Sequence, residues 1–142
     1  MRILLSKAAA VLAFIIGAMA IFAGGQVLLG RDPGYYVIDW LPIYNFAMGV
    51  LAVLVVALLI WRSSRWALPA ALATLAAHLL VMVVLRTAYS DVVAPESLRA
   101  MTIRIIAWLL ILALMFVWAQ QNRSTALPHG QGGSPPWPSD TA

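Results

Sequence analysis

Between Lys7 and Arg31 the chain carries no charged side chain. A helix rises about 1.5 Å per residue, so Ala8 to Leu29 is long enough to cross a hydrocarbon core about 30 Å thick. The pattern recurs three times. Trp40 to Trp61 has Asn45 as its one strongly polar group, Trp66 to Leu85 has His78, and Met101 to Ala119 has Arg104. Backbone N–H and C=O groups find no water partner in hydrocarbon, so each run is expected to be a helix. A barrel would need repeated segments of about 10 residues with alternating polarity. These runs are apolar on every side.

Composition agrees. The 142 residues are 63% hydrophobic and 10% charged, against roughly 25% charged in soluble domains. Such a chain cannot cover itself with polar surface in water. The expected fold is therefore an all-α membrane protein: a four-transmembrane-helix bundle with helices over about 4–29, 42–61, 66–87 and 96–121. These form one domain over 1–122, and a tail over 123–142 follows. From Ser124 onward there are four prolines, three glycines and few large apolar residues, so this tail is expected to be disordered and solvated. Pro135-Pro136-Trp137-Pro138 is expected to be extended.

The connections carry turn signals. Gly30-Arg31-Asp32-Pro33-Gly34 follows the first helix. Asp39 and Pro42 stand where an N-cap and a first-turn proline would open the second. Arg62-Ser63-Ser64-Arg65 is so short that helices two and three must be an antiparallel hairpin. Pro69 suits the first turn of helix three, and Pro95-Glu96 opens helix four with an acid at the positive end of its dipole.

Nine basic residues give a formal net charge of +4. They flank the spans, which makes them a topology signal and excludes nucleic acid as an expected partner. Arg2, Lys7, Arg62, Arg65 and Arg123 fall on one side; Arg31, Arg86 and Arg99 fall on the other, with Arg104 just inside the membrane. Both termini are therefore expected in the cytoplasm of a bacterial-type inner membrane. Tyr35, Tyr36, Trp40, Tyr44 and Tyr89 mark the outer boundary, and Trp61, Trp66 and Trp118 the inner one. A rival reading of the N-terminus is a secretory signal, since Arg2 and Lys7 precede an apolar run and Ala18-Met19-Ala20 resembles a cleavage site. Apolar character continues past that site to Leu29, which favours a retained helix.

Three helices carry stripes of small residues. Ala9, Ala13, Gly17, Ala20 and Gly24 share a face of helix one. Asn45, Gly49, Ala52 and Val56 share one on helix two, and Ala67, Ala71, Thr74 and His78 one on helix three. Small residues let helices approach closely in lipid, so these faces are expected to point into the bundle.

Few residues could carry chemistry. No cysteine is present, which excludes disulfides, thiolate metal sites and quinone-linked thiol redox chemistry. No phosphate loop, HExxH or GxSxG motif occurs. The first span has no carboxylate of the kind small four-span multidrug transporters use. No catalytic residue, metal site or cofactor is assigned. His78 could relay a proton, ligate a cofactor or bind a quinone-like ligand; the plainer reading is a neutral imidazole bonded across a helix interface. A haem held by two histidines would need a second membrane histidine, and His129 lies in the tail. Arg104 could snorkel to headgroups, pair with Asp39, Asp91 or Glu96, or hold an anionic ligand. Ser97, Ala100, Trp108, Ile111 and Met115 continue its face. Gln26, Asp39, Tyr44, Asn45, Arg86, Glu96 and Arg104 could together line a shallow outward-facing polar pocket. The candidate ligand-binding residues are Asp39, Tyr44, Asn45, His78, Glu96 and Arg104.

Four helices with an entry built from Tyr35, Trp40, Leu41, Pro42, Tyr44 and Asn45 make a layout similar to that of small bacterial inner-membrane proteins, DoxX-like ones among them. The likeness is architectural, covers the spans alone and transfers no site residue. Three functions are expected in turn. The first is a non-enzymatic accessory or scaffold subunit that packs against itself or a larger complex. The second is a binder or transporter of a small or lipid-like molecule. The third is a cofactor-bearing oxidoreductase subunit with His78 as ligand.

Overall fold

A computed structural model describes residues 2–124, all of it helix or connection, with no strand among the described residues. The expected tail lies outside these residues except at 123–124, which continue the last helix instead of being disordered. Helix α1 spans Arg2–Leu28, α2 Leu41–Trp61, α3 Ala67–Thr87 and α4 Pro95–Ser124. All four are long and apolar enough to cross a membrane. Only 28–33% of each apolar window is buried inside the bundle, so most of each span faces outward. Helix α1 starts at Arg2 and α4 runs to Ser124, each past its expected range at the end bearing the termini.

Helix α1 stops where chemistry requires it. Arg31 N–H donates to Gln26 C=O and Gly30 N–H to Val27 C=O, each at 3.0 Å, with Gly30 at φ +83°. This paired closure needs a left-handed residue, for which glycine is the unstrained choice. The same closure ends α2, where Ser64 N–H donates to Leu59 C=O at 2.9 Å and Ser63 N–H to Ile60 C=O at 3.0 Å. Here Ser63 holds the left-handed position, at φ +52°. Ser63→Gly is therefore expected to stabilise the protein by roughly 0.5–1 kcal/mol, the left-handed strain less the extra chain entropy of glycine. Thermal unfolding in detergent measures this, and a lower melting temperature would contradict it.

Helix α2 opens differently from expectation. Trp40, not Asp39, is the N-cap residue; it is in helical conformation and makes no side-chain cap. The indole instead donates from Nε1 to the Tyr89 hydroxyl at 3.3 Å, which anchors the entry to the α3–α4 connection. Asp39 is exposed, and Pro42 occupies the first turn as expected. In mid-span, Ala52–Val56 winds as a π-helical turn, and Ala57 N–H donates to Ala52 C=O five residues back. This turn was invisible in the sequence.

The three small-residue stripes all face inward. Ala9, Ala13, Gly17, Ala20 and Gly24 are buried, as are Gly49, Ala52, Val56, Ala67, Ala71, Thr74 and His78. Helix α1 packs most closely on α2, then on α4, and α3 packs on α4. Although α2 and α3 are joined by a short link, they touch only lightly. A cleavage at Ala18-Met19-Ala20 would strip Ala9, Ala13 and Gly17 from the core. Ser6 and Lys7 of α1 also serve the far end of α2. The Ser6 hydroxyl donates to Ile60 C=O at 3.2 Å, and the Lys7 ammonium donates to Trp61 C=O at 3.3 Å while lying 3.5 Å over the Trp61 ring. These donors satisfy carbonyls that a helix C-terminus leaves open.

Two apolar clusters stack along the bundle. One, at the end bearing the termini, gathers Ala9, Ala13, Val56, Ile60, Trp108 and Ile111. The other, at the distal end bearing the α1–α2 and α3–α4 connections, gathers Ile38, Leu41, Val81, Leu85 and Met101. Between them lies a thin polar layer.

Candidate functional site

That layer is built from one or two residues on each of three helices. Helix α4 supplies Arg104, nine positions past Pro95, which at 1.5 Å per residue is roughly 13 Å along the axis. Its side chain is 8% exposed, so it does not snorkel outward. The guanidinium Nη1 donates to the Asn45 side-chain carbonyl on α2. Helix α3 supplies His78, 3% exposed, whose Nδ1 lies 2.7 Å from the Thr74 carbonyl. A carbonyl only accepts, so Nδ1 carries the proton and donates, and in the neutral ring Nε2 is the basic nitrogen. Thr74 in turn donates its hydroxyl to Ala70 C=O at 2.9 Å.

Aromatic rings seal the layer. The Tyr44 ring meets His78 edge-on, with centroids 5.8 Å apart, and Trp108 lies 6.4 Å from His78 on the other side. Trp40 covers Tyr44 at 6.3 Å and Tyr89 at 6.1 Å. The Tyr44 hydroxyl is buried without a hydrogen-bond partner. A buried hydroxyl normally has one, because leaving it unpaired costs about 1–3 kcal/mol.

Of the expected site residues, the structure brings together Tyr44, Asn45, His78 and Arg104. It leaves Asp39 exposed in the α1–α2 connection and Glu96 exposed in the first turn of α4. The anticipated pairing of Arg104 with Asp39, Asp91 or Glu96 is not formed, nor is a Glu96–Arg99 pair; among the described residues there is no ion pair. The physical reason is solvation. Those carboxylates sit at the distal rim, where water hydrates them, and drawing one down to Arg104 would cost that hydration. Asn45 offers an acceptor with no such cost.

A cationic side chain is thus held in the bundle by a neutral partner. An arginine at span centre disfavours insertion by roughly 2.5–3.5 kcal/mol even on lenient scales. One amide oxygen satisfies one of its five donors. Arg104 and Asn45 also border a cavity of about 60 Å³, together with Tyr35, Ser97, Ala100 and Met101. Neither Asp39, Arg86 nor Glu96 reaches it, so the polar pocket is narrower than expected. Sequence reasoning placed Ser97 on the Arg104 face but named neither it nor Tyr35 as lining of the pocket. Two larger crevices, of about 370 and 410 Å³, lie toward the termini and are lined mainly by apolar side chains. Among the described residues no three His, Asp or Glu side chains gather as a metal site would need.

The fold and site define a polytopic helical bundle with a buried cation in its distal half. No family model matches this chain, and neither a curated protein nor a solved structure shows significant similarity to it.

Proposed function

We propose that this chain binds a small or lipid-like molecule at Arg104, in a bacterial-type cytoplasmic membrane with both termini in the cytoplasm. One observation carries the reading: Arg104 is buried beside a cavity with Asn45 and, among the described residues, no carboxylate. A structural arginine would be expected to have its charge matched by the protein. One left unmatched next to open volume suits a ligand that brings the missing charge.

Neither other function has comparable support. The scaffold reading leaned on small-residue faces, and those faces are spent on packing α1, α2 and α3 within the chain. The cofactor reading leaned on His78, whose ring is covered by Tyr44 and Trp108 and whose Nδ1 is engaged by Thr74. A planar cofactor would have to displace neighbours packed around a side chain that is 3% exposed.

The test is to purify the protein in mild detergent, extract it with organic solvent and identify bound molecules by mass spectrometry. Wild type is expected to carry about one molecule per chain, and Arg104→Gln far less. Equal yields from both, or none from either, would overturn the reading. Orientation is tested separately, since the chain has no cysteine to confuse labelling. A cysteine at Gly34 is expected to react with an impermeant maleimide on intact spheroplasts and one at Ser64 only after lysis. The reverse pattern would place the termini outside.

A further inference from the structure

Three cavities follow one another past Arg104. The polar pocket at Arg104 and Asn45 shares Tyr35, Ala23 and Val27 with a cavity of about 210 Å³ at the distal end, which Gln26, Arg31 and Asp32 also line. On its other side it shares Arg104, Ala23 and Ala100 with a crevice of about 150 Å³ between α1 and α4. The rest of that crevice is Ile16, Met19 and Ile103. Ala23 lines all three. Together they fall within the range, about 300–1,000 Å³, of small-molecule sites. Polarity runs in one direction. The distal cavity is polar, the junction holds the buried guanidinium, and the α1–α4 crevice is apolar.

From this gradient we infer that the ligand is a single-chain amphiphile with an anionic head, a carboxylate or a phosphate. The inference rests on the reading of Arg104 as a binding residue. The head lies at the Arg104 guanidinium, where it replaces the charge that no described residue supplies. A pocket of about 60 Å³ is too small for an alkyl chain, so only the head enters it. The chain lies along Ile16, Met19 and Ile103 and leaves between α1 and α4 toward the lipid. Ala23 and Ala100 are exposed at the mouth of this crevice, and their small side chains keep it open. A diacyl lipid would need a second crevice beside the first.

Three probes separate head from chain: palmitate, methyl palmitate and inorganic phosphate, each titrated into delipidated protein and followed by native mass spectrometry. Palmitate is expected to bind once per chain, at least about tenfold more tightly than its neutral ester, as loss of a charged hydrogen bond implies. Inorganic phosphate is expected to bind more weakly than palmitate. In Arg104→Gln the preference for palmitate over the ester should vanish. In Met19→Trp and Ile103→Trp, exposed positions that line the crevice and not the head pocket, palmitate should weaken while phosphate does not. Arg99→Gln, on an exposed face of α4, should bind as wild type. Equal binding of acid and ester would overturn the anionic head yet leave a binding site standing. Phosphate as tight as palmitate, or palmitate unaffected by both tryptophan variants, would overturn the chain's path. If no probe binds and no molecule co-purifies, the binding site itself is refuted.

Discussion

Gly49→Ala is expected to destabilise the bundle by about 1–3 kcal/mol or more, the usual cost of forcing an extra methyl into a filled core. A Cβ at Gly49 would lie 2.6 Å from the Gly17 carbonyl oxygen and 2.7 Å from the Ile21 backbone N. Both are backbone atoms of α1, so no rotamer change relieves the clash and the whole helix must back away. Gly24 faces the same constraint from the other helix, with a Cβ 2.6 Å from the Pro42 carbonyl oxygen. Gly25 is the control. Its Cβ would meet only the Phe46 ring, at 3.7 Å, which is ordinary contact. Helix association in lipid depends on close packing rather than on a hydrophobic drive, so lost contact between α1 and α2 is not recovered elsewhere. Melting of the purified variants checks this. Gly49→Ala and Gly24→Ala should fall by several degrees and Gly25→Ala should not. Equal behaviour of all three would show that α1 and α2 are further apart than described.

The second large effect concerns the order of damage at the polar layer. Asn45→Leu removes the acceptor and leaves a guanidinium, 8% exposed, with no protein partner. Stranding a buried charge costs about 3–5 kcal/mol. Arg104→Leu strands only a half-buried amide, at about 1–3 kcal/mol, and regains part of that by placing an apolar side chain in an apolar bundle. The double variant removes both groups and should be at least as stable as Arg104→Leu. Asn45→Leu is therefore expected to be the least stable of the three. If Arg104→Leu were the worst, the arginine would be holding the fold together rather than being held by it.

Much of the architecture was legible because lipid is a demanding solvent. A run such as Ala8 to Leu29 has few alternatives to a spanning helix, and small residues at helical spacing have one obvious use in it. Individual residues on those faces, such as Gly17 and His78, were therefore placed correctly by spacing alone. What spacing cannot supply is the height of one helix against another. Asn45 and Arg104 lie 59 residues apart on different stripes, and their meeting depends on how α2 and α4 are staggered. Charge suggested Asp39, Asp91 or Glu96 as partners of Arg104 instead. The π-helical turn at Ala52–Val56 and the left-handed Ser63 left no mark, since neither segment contains the residue types that usually signal such backbone. The Trp40–Tyr89 bond, which sets the start of α2, joins two connections that local rules treat separately.

The most direct test of a ligand-holding role for Arg104 compares melting with and without palmitate in wild type and in the Arg104→Leu, Asn45→Leu double variant. Bound ligand stabilises a fold in proportion to the logarithm of its concentration over its dissociation constant. Wild type should gain stability with rising palmitate, while the double variant should fold and gain none. A double variant that fails to fold, or that gains as much as wild type, would contradict the assignment of Arg104 as the residue that holds the ligand.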